Sequence, residues 1–213
     1  MDGRLVPRRR RGAGVNAAGT ARRPSGPARG AALQEKAHAI PVGDSPVLGN
    51  KQVRVNLVVF SDLQCPFCAR SHALLKEVVE DPALKKRVNV VYKYFPLSFH
   101  EDAKPAALFA MAVRELGGDD AFWSFVDRVY QQQRDMESAA LKDVANAIGV
   151  DGERAAALAY AKESTYTAVL DADQKLASSI GVRGTPTFFV GGWQLGDRSV
   201  DSVKALLKKK NLP

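Results

Sequence analysis

The sequence predicts an α/β domain interrupted by a block of helices, and three observations carry that prediction. An apolar run at residues 53–60 leads into Cys65-Pro66-Phe67-Cys68 and then a helical pattern. A second apolar run follows at 88–95. From there to Gly184 strand signals give way to helical periodicity, before a strand-turn-strand and a last helix close the chain.

Each element follows from local pattern. Val53-Arg54-Val55-Asn56-Leu57-Val58-Val59-Phe60 reads as a buried strand, and 66–80 as a helix. The second strand, 88–95, is ended by Pro96. A helix is expected over 101–116 and another over about 119–132. In the latter, Phe122, Phe125, Val126, Val129 and Tyr130 recur at i, i+3, i+4, i+7 and i+8, one apolar face. The neighbouring stripe Phe122, Trp123 and Phe125 reads as core rather than a groove lining. Ser138 reads as the cap of a further helix, with Leu141, Val144, Ala145 and Ile148 at helical spacing and Gly149 at its end. An Ala-rich helical stretch runs over 151–180, closed by Gly181. Phe188-Phe189-Val190, a Gly191-Gly192 turn and Trp193-Gln194-Leu195 suggest a hairpin. The last helix, 200–210, should bury Val200, Val203 and Leu207, with Lys208-Lys209-Lys210 as favourable charge at its C-terminus.

Cys65 and Cys68 are the only cysteines in 213 residues. A Cys-x-x-Cys at a strand-to-helix junction points to a redox dithiol. The unpaired N–H groups that open a helix carry partial positive charge, so a thiolate at Cys65 is stabilised and its pKa falls below about 8.5. Pro66 suits the first helical position, where a missing N–H costs nothing. Cys68 lies almost one turn on, placed to attack a mixed disulfide at Cys65. Cys65 is therefore the attacking sulfur and Cys68 the resolving one. Phe67, between them, should lie at the surface and contact partners. Three blander readings compete. A structural disulfide would close too small a loop to constrain much of the unfolded chain. A zinc site would need more ligands, with only His72 and His100 to add. The third is two inert core cysteines. His72, one turn beyond Cys68, reads as an exposed helical histidine, and no metal or other cofactor is expected.

Gly184-Thr185-Pro186-Thr187 is the second signal. A proline entering a strand removes a ladder hydrogen bond, and a cis Thr185–Pro186 bond would account for it. Thr185 and Pro186 could then present backbone beside Cys65, where an extended partner peptide could pair. An ordinary trans proline opening an edge strand is the alternative.

Residues 60–68, Phe-Ser-Asp-Leu-Gln-Cys-Pro-Phe-Cys, resemble the active-site segment of the DsbA-like thiol-disulfide oxidoreductases of the thioredoxin superfamily. Gly184-Thr185-Pro186-Thr187 is similar to their cis-proline loop, and residues 41–47 resemble their lead-in to the first core strand. The resemblance covers about residue 40 to the end. It implies a thioredoxin-like fold with a central mixed β-sheet and an inserted helical subdomain at about 99–181. It also implies dithiol-disulfide exchange with protein or peptide thiols, most of all disulfide formation, and an unidentified redox partner, a membrane-bound one among the candidates. A reductase or isomerase of the same fold, or a non-catalytic peptide-binding module, is the alternative. One position departs from the pattern. Many relatives carry a glutamate before the strand's phenylalanine, thought to move protons for the second cysteine; here that residue is Val59. Asp62 is nearer in sequence, but loop or cap hydrogen bonding suits it better.

Residues 1–39 read as a separate disordered tail rich in Arg, Gly, Ala and Pro, and 40–213 as the domain. Eight arginines against Asp2 give residues 1–34 a charge of +7, leaving +1 of the chain's +8 for the rest. The basic balance thus belongs to the tail, and nucleic acid is not an expected partner. Monomer is the default state. No apolar run of the roughly 7–15 residues of a signal peptide follows the arginines, nor is there an apolar span of about 20 residues. The resemblance implies the periplasm or cell envelope, with the N-terminus misassigned or missing, and the cytoplasm as alternative.

Overall fold

The computed structural model describes residues 36–132 and 136–213. The predicted tail, through residue 35, lies outside the described residues. The elements are β1 (Val47–Leu48), β2 (Val55–Ser61), α1 (Pro66–Glu80), β3 (Val88–Tyr94), α2 (Ala103–Gln131), α3 (Ser138–Ala147), α4 (Gly152–Ala161), α5 (Glu163–Ser179), β4 (Thr187–Val190), β5 (Trp193–Gln194) and α6 (Val200–Lys209).

One mixed sheet has the order β1-β3-β2-β4-β5. β2 and β3 are parallel, in register from Val55↔Val88 to Ser61↔Tyr94, with α1 as the crossover that parallel pairing requires. β4 is antiparallel to β2, Leu57↔Val190 through Phe60↔Thr187. Four helices, α2 to α5, stand between β3 and β4. The sheet is covered on both faces, which is why β2 and β3 read as near-continuous apolar runs. Alternate residues separate into two cores. Val55, Leu57 and Val59 join the large cluster with α1, α2 and α6, whereas Val58 and Phe60 join Val91, Ala177, Val182 and Phe189. A buried ion pair, Lys93–Asp173 at 3.0 Å, ties β3 to α5, and the Asp173 carboxylate also accepts from Tyr94 N at 2.9 Å.

Several expectations need correction. The 2-residue β1, antiparallel to β3, carried no strand pattern of its own. The two helices expected over 101–116 and about 119–132 are, by contrast, both present within α2, separated at Gly118, whose φ of 77° and ψ of −170° are not helical. Glu137, not Ser138, occupies the cap position of α3. The 151–180 stretch is two helices, with the break at Lys162. Val200 packs only partly buried against the core, unlike Val203 and Leu207. The aromatic stripe does lie in the core: Phe122, Trp123 and Phe125 are buried, and Phe122 and Trp123 pack edge-on to Tyr92. At Gly192 (φ 83°) a side chain is excluded, since a Cβ there would come within 2.2 Å of the His38 carbonyl oxygen. His38 N donates to Gly192 O at 2.9 Å, and the His38 ring meets Phe189 edge-on.

Candidate active site

The sheet brings the two sequence motifs together. β2 runs toward Asp62–Cys65, and β4, antiparallel to it, must start at that same end. The Thr185–Pro186 bond immediately before β4 is cis. Cys65 Sγ lies 3.7 Å from the Thr185 carbonyl oxygen, across 120 residues of chain.

Cys65 occupies the N-cap of α1 in extended conformation, with Pro66 opening the helix. The cysteines stand as a dithiol. Hydrogen bonding from the Cys68 side chain is the largest influence on Cys65. Burial opposes it, while the Thr185 side chain and the amides of Cys68 and Phe67 reinforce it; together they hold the Cys65 thiol down to about 5. Burial is what chiefly pushes Cys68 up, and hydrogen bonding to Cys65 adds to it; Ser61, Thr185 and the Asp62 backbone pull the other way. One proton is thus held on Cys68 and directed at a Cys65 thiolate. Thr185 Oγ1 is buried without a hydrogen-bond partner of standard length, beside both sulfurs. Cys65 is itself only 2% exposed, whereas Phe67 is 55% exposed with the Arg70 guanidinium 4.4 Å over its ring.

Asp62 organises the loop around the dithiol. Its fully buried carboxylate accepts from Gln64 N at 2.7 Å and Leu97 N at 2.8 Å, and bonds His100 Nδ1 at 2.8 Å. Gln64 extends this brace, donating to Asp102 Oδ2 and accepting from Asp102 N. Val59 points into the large core. His72 is not an exposed helical histidine: it is buried, bonded through Nε2 to Asp127, and packed against the Trp123 and Tyr130 rings. Lys76 also pairs with Asp127. The two histidines weighed as partners for a cysteine metal site are each bound to a carboxylate.

Sequence reasoning gave Ser61, Gln64 and Asp102 no role at the site, read Tyr130 only as part of an apolar helix face, and weighed His100 only as a metal ligand. Ser61 had one signal, a hydroxyl directly after the apolar run of residues 57–60. Tyr130 had none, because its helix reaches the site only through the tertiary fold.

A thioredoxin-fold protein with a dithiol at a helix N-terminus is what this fold and site define. A family model described as Thioredoxin matches residues 42–209, and the chain belongs to that family. It is similar to a Na(+)/H(+) antiporter NhaA 1 of Salinispora arenicola, 29% identical over 147 residues, 68% of this chain and 21% of that protein. The chain thus spans about a fifth of the length of such relatives. Disulfide bond formation protein D of Bacillus subtilis is 24% identical over 177 residues, 78% of this chain and 76% of that protein. Among solved structures, a thioredoxin-like oxidoreductase from Silicibacter pomeroyi is 27% identical with a TM-score of 0.67, covering 78% of this chain and 92% of its own. Oxidised BdbD from Bacillus subtilis, at 22% identity and a TM-score of 0.71, shares the fold over 82% of this chain and 96% of its own.

Proposed function

We propose that this protein is a thiol-disulfide oxidoreductase that exchanges its Cys65–Cys68 dithiol/disulfide with protein substrates, working chiefly to form disulfides. The observation that carries the reading is the Cys65–Cys68 dithiol at the start of α1 with Cys65 Sγ 3.7 Å from the Thr185 carbonyl oxygen, in surroundings that hold Cys65 down to about 5 and push Cys68 up. A stabilised thiolate favours the reduced form, which makes the corresponding disulfide a better oxidant, by up to about 30 mV per pKa unit. In the oxidising direction a substrate thiolate attacks Cys65 and expels Cys68. A second substrate thiol then displaces Cys65, which leaves readily because its thiolate is stable. Thr185 and Pro186 hold the partner backbone beside Cys65, and Pro66 and Phe67 shape the approach. The similarity to a disulfide bond formation protein supports this direction.

The proposed site of action is the periplasm or cell envelope, where disulfides persist; a periplasmic thioredoxin-like protein from Salmonella enterica serovar Typhimurium shares the fold. Among the described residues no helix is long and apolar enough to cross a membrane. A separate redox partner would restore the disulfide.

Equilibration in glutathione buffers tests the reading. A reduction potential near about −120 mV is expected for a disulfide-forming enzyme. One near about −270 mV would make it a reductant. The absence of any reversible transition would leave a peptide-binding module.

A further inference from the structure

We infer that the Ser61 and Tyr130 hydroxyls form a hydrogen-bonding pair that serves the Cys68 sulfur as it becomes a thiolate; this rests on the exchange reading above. Ser61 ends β2 and Tyr130 stands near the end of α2, yet Ser61 Oγ and Tyr130 Oη are 2.8 Å apart. Tyr130 Oη also donates to the Asp62 carbonyl at 3.3 Å. Ser61 and Cys68 are both buried, and the Ser61 hydroxyl is among the groups that pull the Cys68 thiol down. The Tyr92 hydroxyl, from β3, belongs to the same group.

Among the described residues, no carboxylate is directed at this sulfur. Val59 is apolar, Asp62 turns its carboxylate to Gln64, Leu97 and His100, and Asp127 turns its own to His72 and Lys76. The titratable groups facing Cys68 are thus Cys65 on its own helix, Tyr92 from β3 and Tyr130 from α2, with His72 behind the Tyr130 ring.

Two hydroxyls can serve both protonation states of a thiol. Once Cys65 is tied up in a mixed disulfide it no longer accepts the Cys68 S–H; while Tyr130 donates to the Asp62 carbonyl, its oxygen accepts from Ser61, and the Ser61 oxygen is then open to that S–H. When the Cys68 proton leaves for solvent, the order reverses. Tyr130 turns its hydrogen to Ser61, and Ser61 turns its own to the sulfur. A hydrogen bond to the anion is stronger than one to the neutral thiol, so the pair favours ionised Cys68. The Cys68 thiolate then attacks Cys65 in a mixed disulfide. The Cys65–Cys68 bond forms, the Cys65–partner bond breaks, and the partner leaves as a thiolate. The dithiol is oxidised by two electrons and the partner sulfur reduced. In the reverse direction the same hydrogen bond stabilises Cys68 as the leaving group. Ser61 is the hydroxyl assigned to the reacting sulfur, and Tyr130 acts through Ser61 as a positioning residue.

Reaction of the reduced protein with the aromatic disulfide 5,5′-dithiobis(2-nitrobenzoate) reads the two steps apart. A first coloured thiolate is released when Cys65 attacks, and a second when Cys68 resolves the adduct. Ser61→Ala and the isosteric Tyr130→Phe should leave the first phase unchanged. Each should slow the second about tenfold, as expected for a lost hydrogen bond to a charged group, and move its pH midpoint upward. A second phase within about twofold of wild type at an unmoved midpoint, or equal slowing of both phases, overturns the inference. Should the wild-type protein release only one equivalent, the exchange reading falls and this inference with it.

Discussion

Cys65 Sγ and the Thr185 carbonyl oxygen lie 3.7 Å apart although 120 residues separate them. The contact follows from strand pairing: Thr187 opposes Phe60, so the residues just before β4 sit over the loop that leaves β2. A peptide bonded to Thr185 backbone would be delivered to the sulfur that reacts first.

Cys65→Ser should abolish exchange with any disulfide. Cys68→Ser should retain the first attack and accumulate covalent adducts, since nothing resolves them. Non-reducing electrophoresis of the variants after incubation with a reduced, unfolded protein and an oxidant checks both. Unchanged turnover in either variant would contradict the roles proposed for the sulfurs.

The ionisation of Cys65 should govern the pH dependence. Its folded value, about 5, lies below the roughly 8.5 of a free cysteine. A depressed acid adds to native-state stability fully above the unfolded value, and the gain is lost as pH falls through the folded one. The melting temperature of the reduced protein relative to the oxidised should therefore rise between about pH 5 and pH 8.5, because the disulfide does not titrate. Iodoacetamide should alkylate Cys65 with a midpoint near pH 5, the value its surroundings impose. A midpoint near that of free cysteine would show that Cys68 does not stabilise the thiolate.

Phe67 is 55% exposed beside a nearly covered Cys65. Phe67→Ala should change stability by no more than about 0.5 kcal/mol. Its rate with a reduced protein substrate should fall about fivefold, the equivalent of ~1 kcal/mol of lost contact, while the rate with glutathione stays the same. Equal loss with both substrates would place its effect on the dithiol instead.

Asp62 bears on stability. Asp62→Ala would leave two backbone N–H groups, of Gln64 and Leu97, without their acceptor, and His100 without its carboxylate. A loss of roughly 2–4 kcal/mol is expected in urea unfolding of the oxidised protein. A loss under about 1 kcal/mol would mean that water replaces the carboxylate.

What the sequence by itself determined is what local pattern encodes. The apolar run of 53–60, the proline one position past Cys65, and the helical spacing after it specify strand, turn and helix, because those preferences act over a few residues. Both motifs were visible, since each carries an unusual residue where it breaks a local rule: a cysteine pair at a helix start and a proline at a strand start. The short edge strand β1 was not, because two residues have no periodicity to read. His72 was misread for a different reason. Its neighbours in sequence say nothing of Asp127, which a separate helix brings to its ring.

Only the tertiary structure decided what surrounds the sulfurs. It placed Thr185 over Cys65, turned the Asp62 carboxylate toward Leu97 and His100, and set the Tyr130 hydroxyl against Ser61. These contacts join residues tens of positions apart. Sheet register and helix packing bring them within hydrogen-bond reach, and burial, itself a property of the whole fold, pushes the Cys68 thiol up while its hydrogen bond holds the Cys65 thiol down.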